Sequence, residues 1–123
     1  MKKIMIINND PEMCCSLALI FRDRYDVVSL TNTDDVKVLL PHIKIDIILA
    51  DVDTPRGDII NTLLWAKKNF PEINIVMIYI SFSNKEIEER VFELSSACLH
   101  KPFDHDEIIE VIEEGLKGVT HYN

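Results

Sequence analysis

The stretch Ile47-Ile48-Leu49-Ala50-Asp51-Val52-Asp53-Thr54-Pro55 decides how the rest of the chain is read. Four apolar residues run without a polar break and stop at Asp51. A short apolar run closed by turn chemistry suits a strand buried on both faces, as in a parallel sheet. Such a strand delivers its last residue to the carboxyl edge of the sheet, where open α/β folds place their sites. Asp51 is therefore expected at a rigid strand end in the usual place for chemistry. The competing reading is an aspartate that merely caps a loop.

Upstream, Ile4 to Ile7 is a first buried strand, followed by Asn8-Asn9-Asp10-Pro11. Asp10 is a good helix N-cap and Pro11 suits the first helical position. Cys14, Leu17, Ala18 and Phe21 then recur at helical spacing. Tyr25 to Leu30 reads as a second strand. A short helix follows, capped from within 31–33, carrying Val36, Leu39 and Leu40 and stopped by Pro41.

Downstream, Pro55 to Asp58 is a turn and Ile60, Leu63 and Leu64 mark a third helix. Ile73 to Ile80 is a fourth strand. Ser83 to Glu86 is a capping box before a helix with Ile87, Val91 and Leu94 as its buried stripe. Ala97 to Leu99 is a fifth strand and His100 to Phe103 a loop. Asp104 opens a last helix carrying Ile108, Ile109, Ile112 and Leu116, with a frayed tail to Asn123.

Five strands alternating with five helices predict one α/β domain over residues 1–123. Right-handed crossovers favour the doubly wound, flavodoxin-like (βα)5 arrangement, a five-stranded parallel sheet in the order 2-1-3-4-5. That order brings Asn8, Asn9 and Asp10 beside Asp51 and Asp53, with Lys101 across from them.

Composition narrows the function. The net charge of −8 argues against direct nucleic-acid binding, which needs a basic surface. The apolar runs are far shorter than a membrane span, so a cytoplasmic protein with no membrane contact is expected. The cysteines, Cys14, Cys15 and Cys98, are odd in number and lack zinc-ligand spacing, which suits reduced thiols. Glycines occur only at 57, 115 and 118, which excludes a dinucleotide fingerprint or a Walker loop after the first strand. What gathers at the sheet edge is oxygen-rich and suits a hard cation such as magnesium. A carboxylate beside a lysine can also act as a nucleophile toward a phosphoryl group.

Three motifs now carry a resemblance. They are the apolar strand with a polar triplet and Pro (Ile4 to Pro11), the Asp51-to-Pro55 motif, and Lys101-Pro102-Phe103. In this combination and spacing the chain resembles the receiver domain of bacterial two-component response regulators over nearly its whole length. The resemblance implies a phosphorelay component and not an enzyme. Asp51 is then the phospho-acceptor, served by a histidine kinase. Lys101 pairs with the phosphate, aimed by a cis Lys101-Pro102 bond. The implied partners beyond the kinase are an output domain, another protein or a second copy of the chain, met through the face of helix four, strand five and helix five.

The same resemblance exposes departures. The family's two acids after strand one are here Asn8 and Asn9, with Asp10 one position later. The implied metal set is therefore Asn9, Asp51 and Asp53, with Asp10 as a substitute, and magnesium binding is expected to be weak or absent. The switch hydroxyl slot holds Tyr79, with Ser81 the nearest small hydroxyl. Ile80 is bulky where the family keeps room for phosphate, and Cys98 stands where it often has an aromatic. An atypical receiver that needs no phosphorylation, acting as an interaction or dimerisation module, is the alternative reading.

Overall fold

The computed structural model describes residues 1–52, 58–80, 85–118 and 121–122. In chain order the elements are β1 (Lys3–Ile7), α1 (Pro11–Phe21), β2 (Asp26–Leu30), α2 (Asp34–Leu39), β3 (Ile47–Asp51), α3 (Asp58–Asn69), β4 (Asn74–Tyr79), α4 (Lys85–Leu94), β5 (Ala97–His100), α5 (His105–Leu116) and β6 (His121–Tyr122). All neighbouring strands pair in parallel, in the order β2-β1-β3-β4-β5-β6. The expected 2-1-3-4-5 sheet is present. What differs is the tail: instead of fraying, His121 and Tyr122 pair with Ala97 and Cys98. A strand at a sheet edge offers unpaired backbone groups, and a following segment that reaches it can satisfy them.

Side chains of the central strands divide by parity, as a two-residue pleat requires. Met5, Ile7, Ile48, Ala50, Ile75, Met77 and Cys98 pack on one face with Val36 of α2, Ile59, Leu63 and Ala66 of α3, and Leu94 of α4. Ile4, Ile6, Ile47, Leu49, Val76, Ile78, Ala97 and Leu99 pack on the other with Cys14, Leu17 and Phe21 of α1 and Ile108, Val111 and Ile112 of α5. Every residue of β3 is buried. This two-sided burial is why β3 reads as an unbroken apolar run rather than an alternation.

Helix starts follow the local chemistry. Asp10 caps α1 by accepting from the Glu12 amide at 3.0 Å, with Pro11 at the first turn. For α2 the capping side chain is Asn32, whose Oδ1 accepts from the Asp35 amide at 3.1 Å. At α5 Asp104 and Glu107 form a reciprocal capping box that fixes where the helix leaves the loop after β5. The Pro55 turn and the Ser83 capping box lie outside the described residues, as do the side chains of Ile87 and Val91. No helix among the described residues is long and apolar enough to cross a membrane.

Candidate functional site

Parity also builds the site. Asn8, one residue past β1, continues the Ile4–Ile6 series; Asp51 continues Ile47–Leu49; and Lys101, one residue past β5, continues Ala97–Leu99. All three therefore fall on the α1/α5 side at the carboxyl edge. The strand ends are held there by backbone bonds, Val52 N–H to the Ile78 carbonyl at 3.0 Å and Lys101 N–H to the Tyr79 carbonyl at 2.8 Å.

The result is a tight cluster. The Lys101 ammonium donates to Asp51 Oδ2 at 2.6 Å. The Asn8 side-chain amide donates to the same oxygen at 3.1 Å. Asp51 is 9 % exposed and Asn8 3 %. Taking a carboxylate out of water costs several kcal/mol unless it is paired and hydrogen-bonded, and here both conditions hold. The Lys101-Pro102 peptide is cis.

The cluster opens onto a cavity of about 560 Å3 with largely apolar walls, formed by Met13 and Leu17 of α1, Ile78 and Ile80 around the end of β4, and Pro102 and Phe103 after β5. Such walls exclude water and strengthen charge-assisted bonds at the floor. Ile80 and Met13 remain among the exposed large apolar residues of the chain. Ile80 is thus a wall of this cavity.

The other expected residues have different fates. Asn9 is exposed, and its neighbour Asn8 is the one that turns inward to Asp51. Asp10 spends its carboxylate on the α1 cap. Tyr79 has the opposite parity to Ile78 and packs with the α2–α4 face. Its ring meets His100 edge to face, with centroids 5.2 Å apart and planes at 89°. Burial raises its hydroxyl above the usual tyrosine value, with Cys98 and Glu88 adding to the rise. Cys98 is buried and lies 3.1 Å from Ser95 Oγ, a packed thiol rather than a lever. Asp53 and Ser81 lie outside the described residues.

Among the described residues, the groups that meet Asp51 Oδ2 are nitrogen donors. No group of three His, Cys, Asp or Glu side chains gathers among them. The Asn8 amide turns its N–H, not its oxygen, toward Asp51. A hard cation wants oxygen donors and commonly one or two carboxylates, whereas Asp51 Oδ2 already faces two N–H donors.

Sequence reading missed the inward role of Asn8. The contact that goes with it is seen only in the structure: the Asp10 amide donates to Asn8 Oδ1 at 2.9 Å, a two-residue Asx turn before the helix cap. The apolar walls of the cavity had no such signal, because they come from three separate segments.

Solved structures share this fold. A CheY-like receiver domain protein from Methanospirillum hungatei is 20 % identical, with 95 % of this chain and 94 % of that chain covered and a TM-score of 0.85. The isolated receiver domain of RcsB from Salmonella enterica, solved with a phosphomimetic beryllofluoride, is 15 % identical, with 99 % and 93 % covered and a TM-score of 0.81. A receiver domain protein from Clostridium thermocellum is 16 % identical, with 95 % of each chain covered and a TM-score of 0.81. No curated protein matches the chain. A profile of the response regulator receiver domain matches residues 4–113. With the parallel sheet and the lysine–aspartate pair at its edge, that match places this chain in the response regulator receiver domain family of two-component signal transduction.

Proposed function

We propose that this receiver domain takes a phosphoryl group from a phosphohistidine of a kinase onto Asp51 and signals through the surface around α4, β5 and α5. The observation that supports this most is the 2.6 Å contact between the Lys101 ammonium and Asp51 Oδ2, both of which line the cavity. In the step, a carboxylate oxygen of Asp51 attacks phosphorus. The phosphorus–nitrogen bond breaks, the imidazole nitrogen keeps the electron pair and takes a proton, and an acyl phosphate forms. Lys101 then donates to the phosphoryl oxygens, whose charge replaces that of the carboxylate. The chain is an acceptor, changed once per transfer, and not a turnover catalyst.

The outlet surface carries a feature of this chain. The outer edge of β5 is paired with β6 of the same chain. A partner or second copy that docks on this face meets β6 as well as α4 and α5.

The reading is tested by incubating the protein with a small phosphodonor, alone and with magnesium, followed by intact mass. The expected result is a gain of one phosphoryl group that Asp51→Asn abolishes. No gain under either condition, together with no response to beryllofluoride, overturns the reading and leaves an interaction module that works without phosphorylation.

A further inference from the structure

Asn8 is bonded at nearly every polar group it has. Its backbone N–H donates to the Leu30 carbonyl at 3.1 Å, and its carbonyl accepts the Cys14 thiol at 3.3 Å. Its side-chain oxygen accepts the Asp10 N–H at 2.9 Å. A backbone N–H can only donate, so this bond sets which end of the amide is oxygen. The other end, Nδ2, is thereby committed to Asp51 Oδ2 at 3.1 Å. Turning the amide over to offer its oxygen elsewhere would set a donor against the Asp10 N–H and an acceptor against the Asp51 carboxylate. With Asn8 only 3 % exposed, water cannot repair either clash.

Asp51 Oδ2 thus stands between an ammonium and an amide. The Asp51–Lys101 pair carries no net charge. A divalent cation bound at that oxygen would displace one donor, shed part of its own hydration and meet the charge of Lys101.

We propose that the Asn8 amide and the Lys101 ammonium together hold Asp51 where a divalent cation would otherwise hold it, so that the carboxylate is placed without metal and Asn8 is its positioning residue. This rests on the reading above only for the choice of Asp51 as the carboxylate that matters. Its chemistry predicts a reversal: an acid at position 8 repels Asp51 and adds an oxygen ligand where the wild type presents an amide N–H.

The test is a magnesium titration of the full chain by 1H–15N NMR, wild type beside Asn8→Asp, with melting temperatures taken with and without magnesium. Wild type is expected to show no saturable shift at Asn8, Asp51 or Lys101 up to about 10 mM magnesium. Asn8→Asp is expected to melt lower than wild type without the ion, recover with it, and bind it at least about tenfold more tightly, as one added carboxylate charge at close range predicts. A purely structural role for Asn8 would lower the melting temperature without creating magnesium affinity. Saturation of wild type below about 1 mM, or an Asn8→Asp protein that binds no more tightly than wild type, overturns the proposal. Should Asn8→Asp fail to fold even with magnesium, the wild-type titration decides alone. Beryllofluoride addition, read by 19F NMR, separates the two proposals. Absence of an Asp51 adduct with or without magnesium counts against the phospho-acceptor reading and leaves the magnesium result standing.

Discussion

Lys101 and Asp51 stand fifty positions apart in the chain and 2.6 Å apart in the fold. Their side chains are 25 % and 10 % exposed, so the pair sits between a surface ion pair and a buried one. Surface pairs contribute about 0–1 kcal/mol, while removing one partner of a buried pair costs about 3–5 kcal/mol. Lys101→Met removes the ammonium from Asp51 Oδ2 and leaves the Asn8 amide on it. The expected loss is about 1–2 kcal/mol, read as a lower urea midpoint with an unchanged slope. A variant as stable as wild type would mean that the pair is solvated in solution.

Alkaline pH should weaken the fold through its buried thiols. Burial pushes the Cys98 thiol from its ordinary 9.0 up to about 11, against a smaller lowering from its hydrogen bond with Ser95. Burial raises Cys14 as well, offset in part by its bond to the Asn8 backbone. A thiol raised in the fold stays protonated there while the unfolded chain ionises. Its stabilisation is therefore complete below about pH 9 and is lost as pH rises toward about 11. Urea unfolding under reducing conditions should show a midpoint that falls across this window and falls less steeply in Cys98→Ala. In the native protein near neutral pH, Cys15, which is exposed, should react with a thiol reagent. Cys14 and Cys98 should react only after unfolding. Rapid native labelling of Cys98 would contradict the packing of β5.

α5 lies against the sheet at Gly115. A Cβ there would sit 3.0 Å from Ile47 Cδ1 and 3.0 Å from Val76 Cγ2, both in fully buried side chains. Alanine in place of glycine gains about 1 kcal/mol of helix propensity, whereas overpacking a dense core costs about 1–3 kcal/mol. Overpacking wins here because the two side chains that must yield come from adjacent strands and are both fully buried on the face α5 covers. Gly115→Ala should lower the melting temperature by a few degrees, at about 2–8 °C per kcal/mol, the range that brackets a domain of this size. A rise would show that α5 can lift from β3 and β4.

The sequence by itself determined the first five strands of the sheet, β1 to β5. The apolar runs of β1, β3 and β4 need no partner to be recognised, because burial on both faces removes polar residues from both parities. The start of α1 was equally legible, since Asp10 and Pro11 act on the backbone beside them. Asp51 and Lys101 were found from motif wording, and strand order then put them together. Only the tertiary structure decided which asparagine turns inward, since Asn8 and Asn9 are chemically identical and differ by the parity inherited from β1. It also decided that Tyr79 faces His100 and that His121 and Tyr122 close the β5 edge. These outcomes depend on pleat phase and on contacts between distant segments, and no local pattern of residues encodes either.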